Sequence, residues 1–171
     1  THSSTLFPYT TLFRSALLFD LNEIDLNAKP LFDRAAIEAV NPQRYEMQQL
    51  DGILWYDKEK ACVLGYKDVT DKEFWVRGHI PGRPLMPGVI QIESAAQLLS
   101  WFVKEIYQEE GFVGFGGIDR TKFRAAITPG CRLYMLGHVI EARRGRRYVC
   151  DVQGLVNGNL AFETTISGMK V

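Results

Sequence analysis

Residues 88–107 read GVIQIESAAQLLSWFVKEIY, and this stretch decides the fold. Wound as a helix, Val89, Ile90, Ile92, Ala95, Ala96, Leu98, Leu99, Trp101, Phe102, Val103 and Ile106 cover nearly its whole circumference. A helix that is apolar on all sides is a buried helix, so other elements must wrap it. Downstream, the sequence alternates in the manner of strands at Gly117–Phe123, Cys131–Arg143, Arg147–Val156 and Leu160–Met169. Thr128-Pro129-Gly130, Arg144-Gly145-Arg146 and Asn157-Gly158-Asn159 supply the turns. Upstream, Tyr45–Tyr56 and Lys60–Val69 read as two strands around the polar turn Asp57–Glu59. Asp33–Val40 reads as a short helix with Asp33 as its N-cap, stopped by Asn41-Pro42. The expected class is α+β, with one long helix packed on one antiparallel sheet.

Composition narrows the function classes. The chain has 171 residues, 46% apolar and 23% charged, which is ordinary for one globular domain. Lys plus Arg and Asp plus Glu each number 20, so no strong field draws the protein to nucleic acid or a membrane surface. Residues 16–40 are expected to form an N-terminal extension and 41–171 the domain proper. Thr1–Ser15 (THSSTLFPYTTLFRS) has no periodicity and no signal-peptide pattern, and is expected to be a non-native or disordered leader. No apolar run reaches membrane-spanning length. Three cysteines, Cys62, Cys131 and Cys150, form no C-x-x-C pair. They fit a reducing cytoplasm and small core positions, and a zinc site is not expected.

The chemistry sits just before the long helix. Arg77–Gly88, RGHIPGRPLMPG, holds three prolines and three glycines in twelve residues. Such a loop is stiff and shaped, which suits fixing a side chain at a site. His79 lies in it, and Glu93 lies in the second turn of the apolar helix. A carboxylate there is costly unless it is paired or used. On helix spacing alone Glu93 reads equally as part of a polar stripe with Gln97, Ser100 and Lys104. A histidine in a rigid loop leading into that helix makes a general-base candidate. His138 reads as an ordinary strand residue. Gly88 places a helix-start amide with no side chain in front of it, which is what an oxyanion donor needs. Base, acid and oxyanion donor fit proton abstraction beside a carbonyl, then loss of a β-hydroxyl.

Gly78-His79-Ile80-Pro81-Gly82-Arg83-Pro84-Leu85-Met86-Pro87-Gly88-Val89, with Glu93 and Ala96-Gln97 after it, closely resembles the signature of the 3-hydroxyacyl-acyl-carrier-protein dehydratases of bacterial type II fatty-acid synthesis (FabZ type). Pro42-Gln43-Arg44-Tyr45 with Leu50-Asp51, and Gly117-Ile118-Asp119 through Phe123-Arg124 and Pro129-Gly130, resemble other parts of that family. The resemblance spans about Asn41 to Met169. It implies a hotdog fold, with an antiparallel sheet around one central helix. It implies dehydration of 3-hydroxyacyl-acyl carrier protein to the trans-2-enoyl product, in the cytoplasm, by His79 and Glu93 with the Gly88 amide. It implies a homodimer in which His79 meets Glu93 of the partner subunit, with hexamers as a further assembly. Acyl carrier protein is the implied partner, and no metal or organic cofactor is implied. Ile80, Pro87, Val89 and Gln97 become candidate substrate contacts.

Relatives refine the picture. The dehydratase-isomerase branch (FabA type) typically carries aspartate at the Glu93 position, so glutamate favours the plain dehydratase. Ile80 stands where the family usually has Phe. The basic run Arg143-Arg144-Gly145-Arg146-Arg147 reads as a solvated hairpin turn or as a docking patch for an acidic carrier protein. Arg120, Lys122 and Arg124 are equally available for docking. Fold alone does not decide function. A thioesterase, a CoA-linked hydratase and a non-catalytic acyl-binding subunit are the alternatives.

Overall fold

A computed structural model of the protein describes residues 16–171, so the expected leader at residues 1–15 lies outside the described residues. The described chain forms helix α1 (Arg34–Glu38), strands β1 (Gly52–Asp57) and β2 (Cys62–Asp68), and the long helix α2 (Gly88–Trp101). Strands β3 (Val113–Phe123), β4 (Arg132–Arg143), β5 (Arg147–Val156) and β6 (Asn159–Lys170) follow. All six strands join one antiparallel sheet in the order β1-β2-β4-β5-β6-β3. Asn157 and Gly158 take positive φ angles of 50° and 73°, the backbone a tight β5–β6 hairpin requires.

The sheet curls around α2 because glycines open room for one leucine. A methyl group on Gly65 of β2 would lie 2.7 Å from Leu98 Cδ1, and one on Gly137 of β4 would lie 3.1 Å from Leu98 Cδ2. Leu98 is fully buried, as are Trp101, Phe102 and Val103. The helix is not buried all round, as the sequence suggested, because Val89 in its first turn is 75% exposed. Its last stretch also departs from α geometry. Phe102–Ile106 is a π-helical turn, with the Tyr107 N–H donating to the Phe102 carbonyl at 3.3 Å.

Two strand expectations need correction. Tyr45–Met47 is a short 3-10 turn and not the start of β1. The Met47 carbonyl and the Gln49 N–H are hydrogen-bonded by the Gln97 side chain at 2.6 and 2.9 Å, so this segment bonds to the helix and not to a strand. β3 begins at Val113, four residues earlier than expected, because Gly114, Gly116 and Gly117 hide its alternation. By contrast α1 forms with Asp33 as N-cap, its carboxylate accepting from the Ala36 N–H at 3.0 Å.

Residues 16–26 have a definite place on the outer face of the sheet. Leu54, Leu64, Tyr66, Leu136 and Leu155 form a second apolar cluster there. Leu17, Leu18, Phe19, Leu21, Ile24 and Leu26 pack against it. Gln153 pins the segment with both ends of its amide, accepting from the Leu18 N–H at 2.9 Å and donating to the Ala16 carbonyl at 3.0 Å. The Phe19 and Trp55 rings lie 5.1 Å apart. Removing residues 1–26 should lower Tm on the order of 10 °C, from six half-buried apolar side chains lost. It should also produce concentration-dependent self-association through the bared face in size-exclusion chromatography. Unchanged melting and elution would show that the segment contributes nothing to the fold.

At the far end of α2, Glu109 ties three elements together. Its carboxylate accepts from the Tyr148 hydroxyl, the Gly145 N–H at 2.8 Å and Lys170 Nζ at 2.9 Å. The Tyr148 hydrogen bond, with Lys170 and Gly145, holds its pKa down at about 2. Burial pushes the Tyr148 phenol up to about 12. A carboxyl whose folded pKa is depressed contributes stability above its unfolded value, and that contribution disappears as pH falls through the folded value. Glu109→Gln should therefore lower Tm at neutral pH and flatten the loss of stability between pH 4.5 and about 2. Melting curves across that range check it, and a parallel decline in variant and wild type would refute the assignment.

Candidate active site

The first turn of α2 presents backbone amide donors. Pro87 is its N-cap and makes no side-chain capping bond. The Pro87 carbonyl accepts from the N–H groups of Ile90 and Gln91 at 3.0 and 3.1 Å. The Gly88 and Val89 N–H groups have no acceptor among the described residues. They stand at the positive end of the helix dipole. The lack of a side chain at Gly88 matters for a reason the sequence does not disclose. A methyl group there would lie 2.6 Å from Cζ of Phe123 on β3, whose ring covers the helix start.

His79 sits in the turn-rich loop and is exposed, held by two bonds. Its N–H donates to the Trp75 carbonyl at 2.9 Å. Its Nδ1 lies 2.8 Å from the Leu85 carbonyl oxygen. A carbonyl can only accept, so Nδ1 carries the proton and the neutral ring leaves its lone pair on Nε2. Met86 anchors the end of the loop, its N–H on the Ile127 carbonyl at 2.8 Å and its carbonyl accepting from Gln91 Nε2 at 3.1 Å. Ile80 is 36% exposed, and Pro87 is buried.

Glu93 is partly buried on α2, and Gln97 one turn on donates to its Oε1 at 2.8 Å. The Gln97 amide has a fixed sense. Its Oε1 accepts from the Gln49 N–H at 2.9 Å, so its NH2 must face Glu93 and the Met47 carbonyl. Asn41 Nδ2 donates to the Gln97 carbonyl at 2.9 Å. Gln97 is 1% exposed, and in this chain it meets Glu93 and the 47–49 backbone rather than open space. The other side of Glu93 faces a cavity of about 130 Å3, walled by Ala96, Leu99, Phe112, Phe115 and Ile166 among others.

The chain brings Glu93 and Gln97 together but leaves His79 apart from them. Among the described residues no hydrogen bond joins His79 to Glu93, and His79 is not on the wall of the Glu93 cavity. Gln49, Met47, Asn41, Phe123 and the Leu85 carbonyl are parts of the site that the sequence did not reveal. All but the last reach it from other elements, so no local spacing could have marked them.

The family description "FabA-like domain" matches residues 41–165. The chain is 34% identical over 146 residues to the 3-hydroxyacyl-[acyl-carrier-protein] dehydratase FabZ of Campylobacter jejuni, covering 82% of this chain and 99% of that protein. It is 37% identical over 130 residues to the FabZ of Sorangium cellulosum, covering 74% and 83%. Among solved structures, the dehydratase heterocomplex ApeI:P of Xenorhabdus doucetiae aligns with TM-score 0.65 at 13% identity, covering 79% of this chain and 90% of that one. That similarity establishes the hotdog fold. The chain belongs to the FabA-like family, on its FabZ-type 3-hydroxyacyl-acyl-carrier-protein dehydratase branch.

Proposed function

We propose that this protein removes water from 3-hydroxyacyl-acyl carrier protein to give the trans-2-enoyl thioester, in the cytoplasm, as a step of fatty-acid synthesis. His79 Nε2 takes the C2 proton. Negative charge developing on the thioester oxygen is met by the Gly88 amide. Glu93, oriented by Gln97, positions or protonates the leaving 3-hydroxyl. Atoms balance: the C2–H and C3–O bonds break, a C2–C3 double bond forms, and one water leaves. The observation that carries the reading is the Glu93 carboxylate, held by a directed amide on the wall of a cavity that it shares with Leu99, Phe112, Phe115 and Ile166 as well as Gln43, Ser100 and Ser167.

The separation of His79 from Glu93 supports a site completed by a second copy of the chain. β3 supports it as well. Among the described residues that strand ends the sheet with one edge unpaired, and it exposes Phe115, Ile118 and Phe123. An edge strand with apolar side chains is suited to pairing. We therefore place His79 of one protomer against the partner's Glu93, in a homodimer able to assemble further into hexamers. Ile80 and Val89, both exposed beside the loop and helix start, are placed at the acyl chain, next to Pro87.

Acyl carrier protein is the partner in this account, and Arg120, Lys122, Arg124 and the Arg143–Arg147 run are the basic groups it could meet. Arg120 and Arg124 are already paired, with Asp151 at 3.3 Å and Glu163 at 2.6 Å. Arg143 pairs with Glu141 at 3.0 Å. This favours the β4–β5 hairpin tip as solvated surface and gives no single patch priority.

The test is enoyl absorbance after mixing with 3-hydroxybutyryl-acyl carrier protein. His79→Ala should lose about 10²- to 10⁴-fold in rate, the usual contribution of a positioned base, with an unchanged melting curve. Thiol release in place of enoyl product would make the protein a thioesterase. Absence of both from folded wild type would make it a binding subunit.

A further inference from the structure

Lys67 is a charge in the wrong place for stability. Along β2 it shares the inward face with Val63 and Gly65, the face that packs on α2. Its side chain is 5% exposed. Lys67 Nζ lies 3.0 Å from Glu73 Oε1 and 3.5 Å from Asp51 Oδ2, and these side chains are 9% and 14% exposed. Asp51 is itself held by Arg34 and by the Asp68 N–H at 2.8 Å. A buried ion pair of this kind is seldom worth more than an apolar pair of the same volume. What it does supply is direction, because a carboxylate is drawn to one ammonium and one position.

Glu73 belongs to the loop that carries His79, six residues before it. Between them Trp75 is buried in the core, and its carbonyl accepts from both the Gly78 N–H at 3.3 Å and the His79 N–H at 2.9 Å. The order is therefore Lys67 on a core strand, Glu73 on Lys67, Trp75 in the core, and His79 hung on Trp75. In the exposed part of the loop that follows, the hydrogen bonds among the described residues are local, such as the Arg83 N–H on the Ile80 carbonyl at 3.0 Å. From this geometry we infer that Lys67 and Glu73 are positioning residues that fix the place of His79. The inference rests on His79 being the base of the proposed reaction.

The experiment uses the full-length protein and two readouts. The first is kcat and KM with 3-hydroxybutyryl-acyl carrier protein. The second is the pair of His79 imidazole ¹⁵N signals, assigned by their loss in His79→Ala; the chain has 3 histidines. In wild type those signals should report a proton on Nδ1, held by the Leu85 carbonyl. Glu73→Gln keeps the shape and removes the charge. It should reduce kcat about 10- to 100-fold with KM within about twofold, the usual cost of a misplaced catalytic group. It should also average the two ring signals. The double variant Lys67→Met/Glu73→Gln leaves no unpaired ammonium at this position, and covers the case in which the single variant does not fold. It should show the same two changes. A variant with wild-type His79 signals overturns the inference, whatever its Tm or rate. Inactive wild type would instead overturn the dehydratase reading, and the ring signals would still decide whether Glu73 fixes His79.

Discussion

Everything in this structure depends on how closely one helix can approach one sheet. Leu98 projects from α2 into space left by Gly65 and Gly137 on neighbouring strands. A β-carbon at Gly65 would stand 2.7 Å from Leu98 Cδ1, and one at Gly137 3.1 Å from Leu98 Cδ2, so Leu98 would have to shift from its place. The neighbouring Trp101, Phe102 and Val103 are fully buried, where dispersion and burial both reward close contact. Close packing also makes the helix rigid, and a rigid helix is a good place to mount a site.

The site uses both properties of that helix. Its first turn begins with a proline cap and presents the Gly88 and Val89 amides, where the dipole favours negative charge. Its second turn carries Glu93 on the edge of the apolar interior. A carboxylate there is tolerable because Gln97 donates to it and solvent reaches its other side. Gln97 in turn takes its orientation from backbone groups of residues 47 and 49, so a segment that might have extended β1 is spent on holding the site. His79 comes from a separate loop with its own anchors, and its Nδ1 bond to Leu85 leaves one nitrogen free. Each half of the site is preorganised within the chain. The two halves are not joined within it.

Much of this was legible in the residues. The apolar stretch at 88–107, the hairpin turn at Asn157-Gly158 and the Asp33 cap are local signals, and local hydrogen bonding realises them. The proline- and glycine-rich loop and the apolar helix after it gave His79 and Glu93 as candidates, and the resemblance to a known signature pointed to the same two residues. What was hidden depends on long-range contact. Tyr45–Met47 looked like strand because its bonding partner is Gln97, some fifty residues away. Val89 was counted with the buried face because periodicity cannot tell which end of a helix the sheet leaves uncovered. Leu17 to Leu26 carry six apolar side chains, and the outer cluster they cover explains them. Lys67 lies within a stretch read only as strand, and its partners Glu73 and Asp51 come from outside that strand.

The most direct measurement mixes two inactive proteins. His79→Ala and Glu93→Ala are unfolded together, refolded, and assayed for enoyl formation against each variant refolded alone. If the site takes His79 from one protomer and Glu93 from its partner, each mixed dimer holds one intact site. Roughly a quarter of wild-type activity should then return, because about half the dimers are mixed and each has one of two sites working. If the mixture stays as inactive as its components while chromatography shows that mixed dimers form, both residues must come from one chain. The account of a shared site would then be wrong.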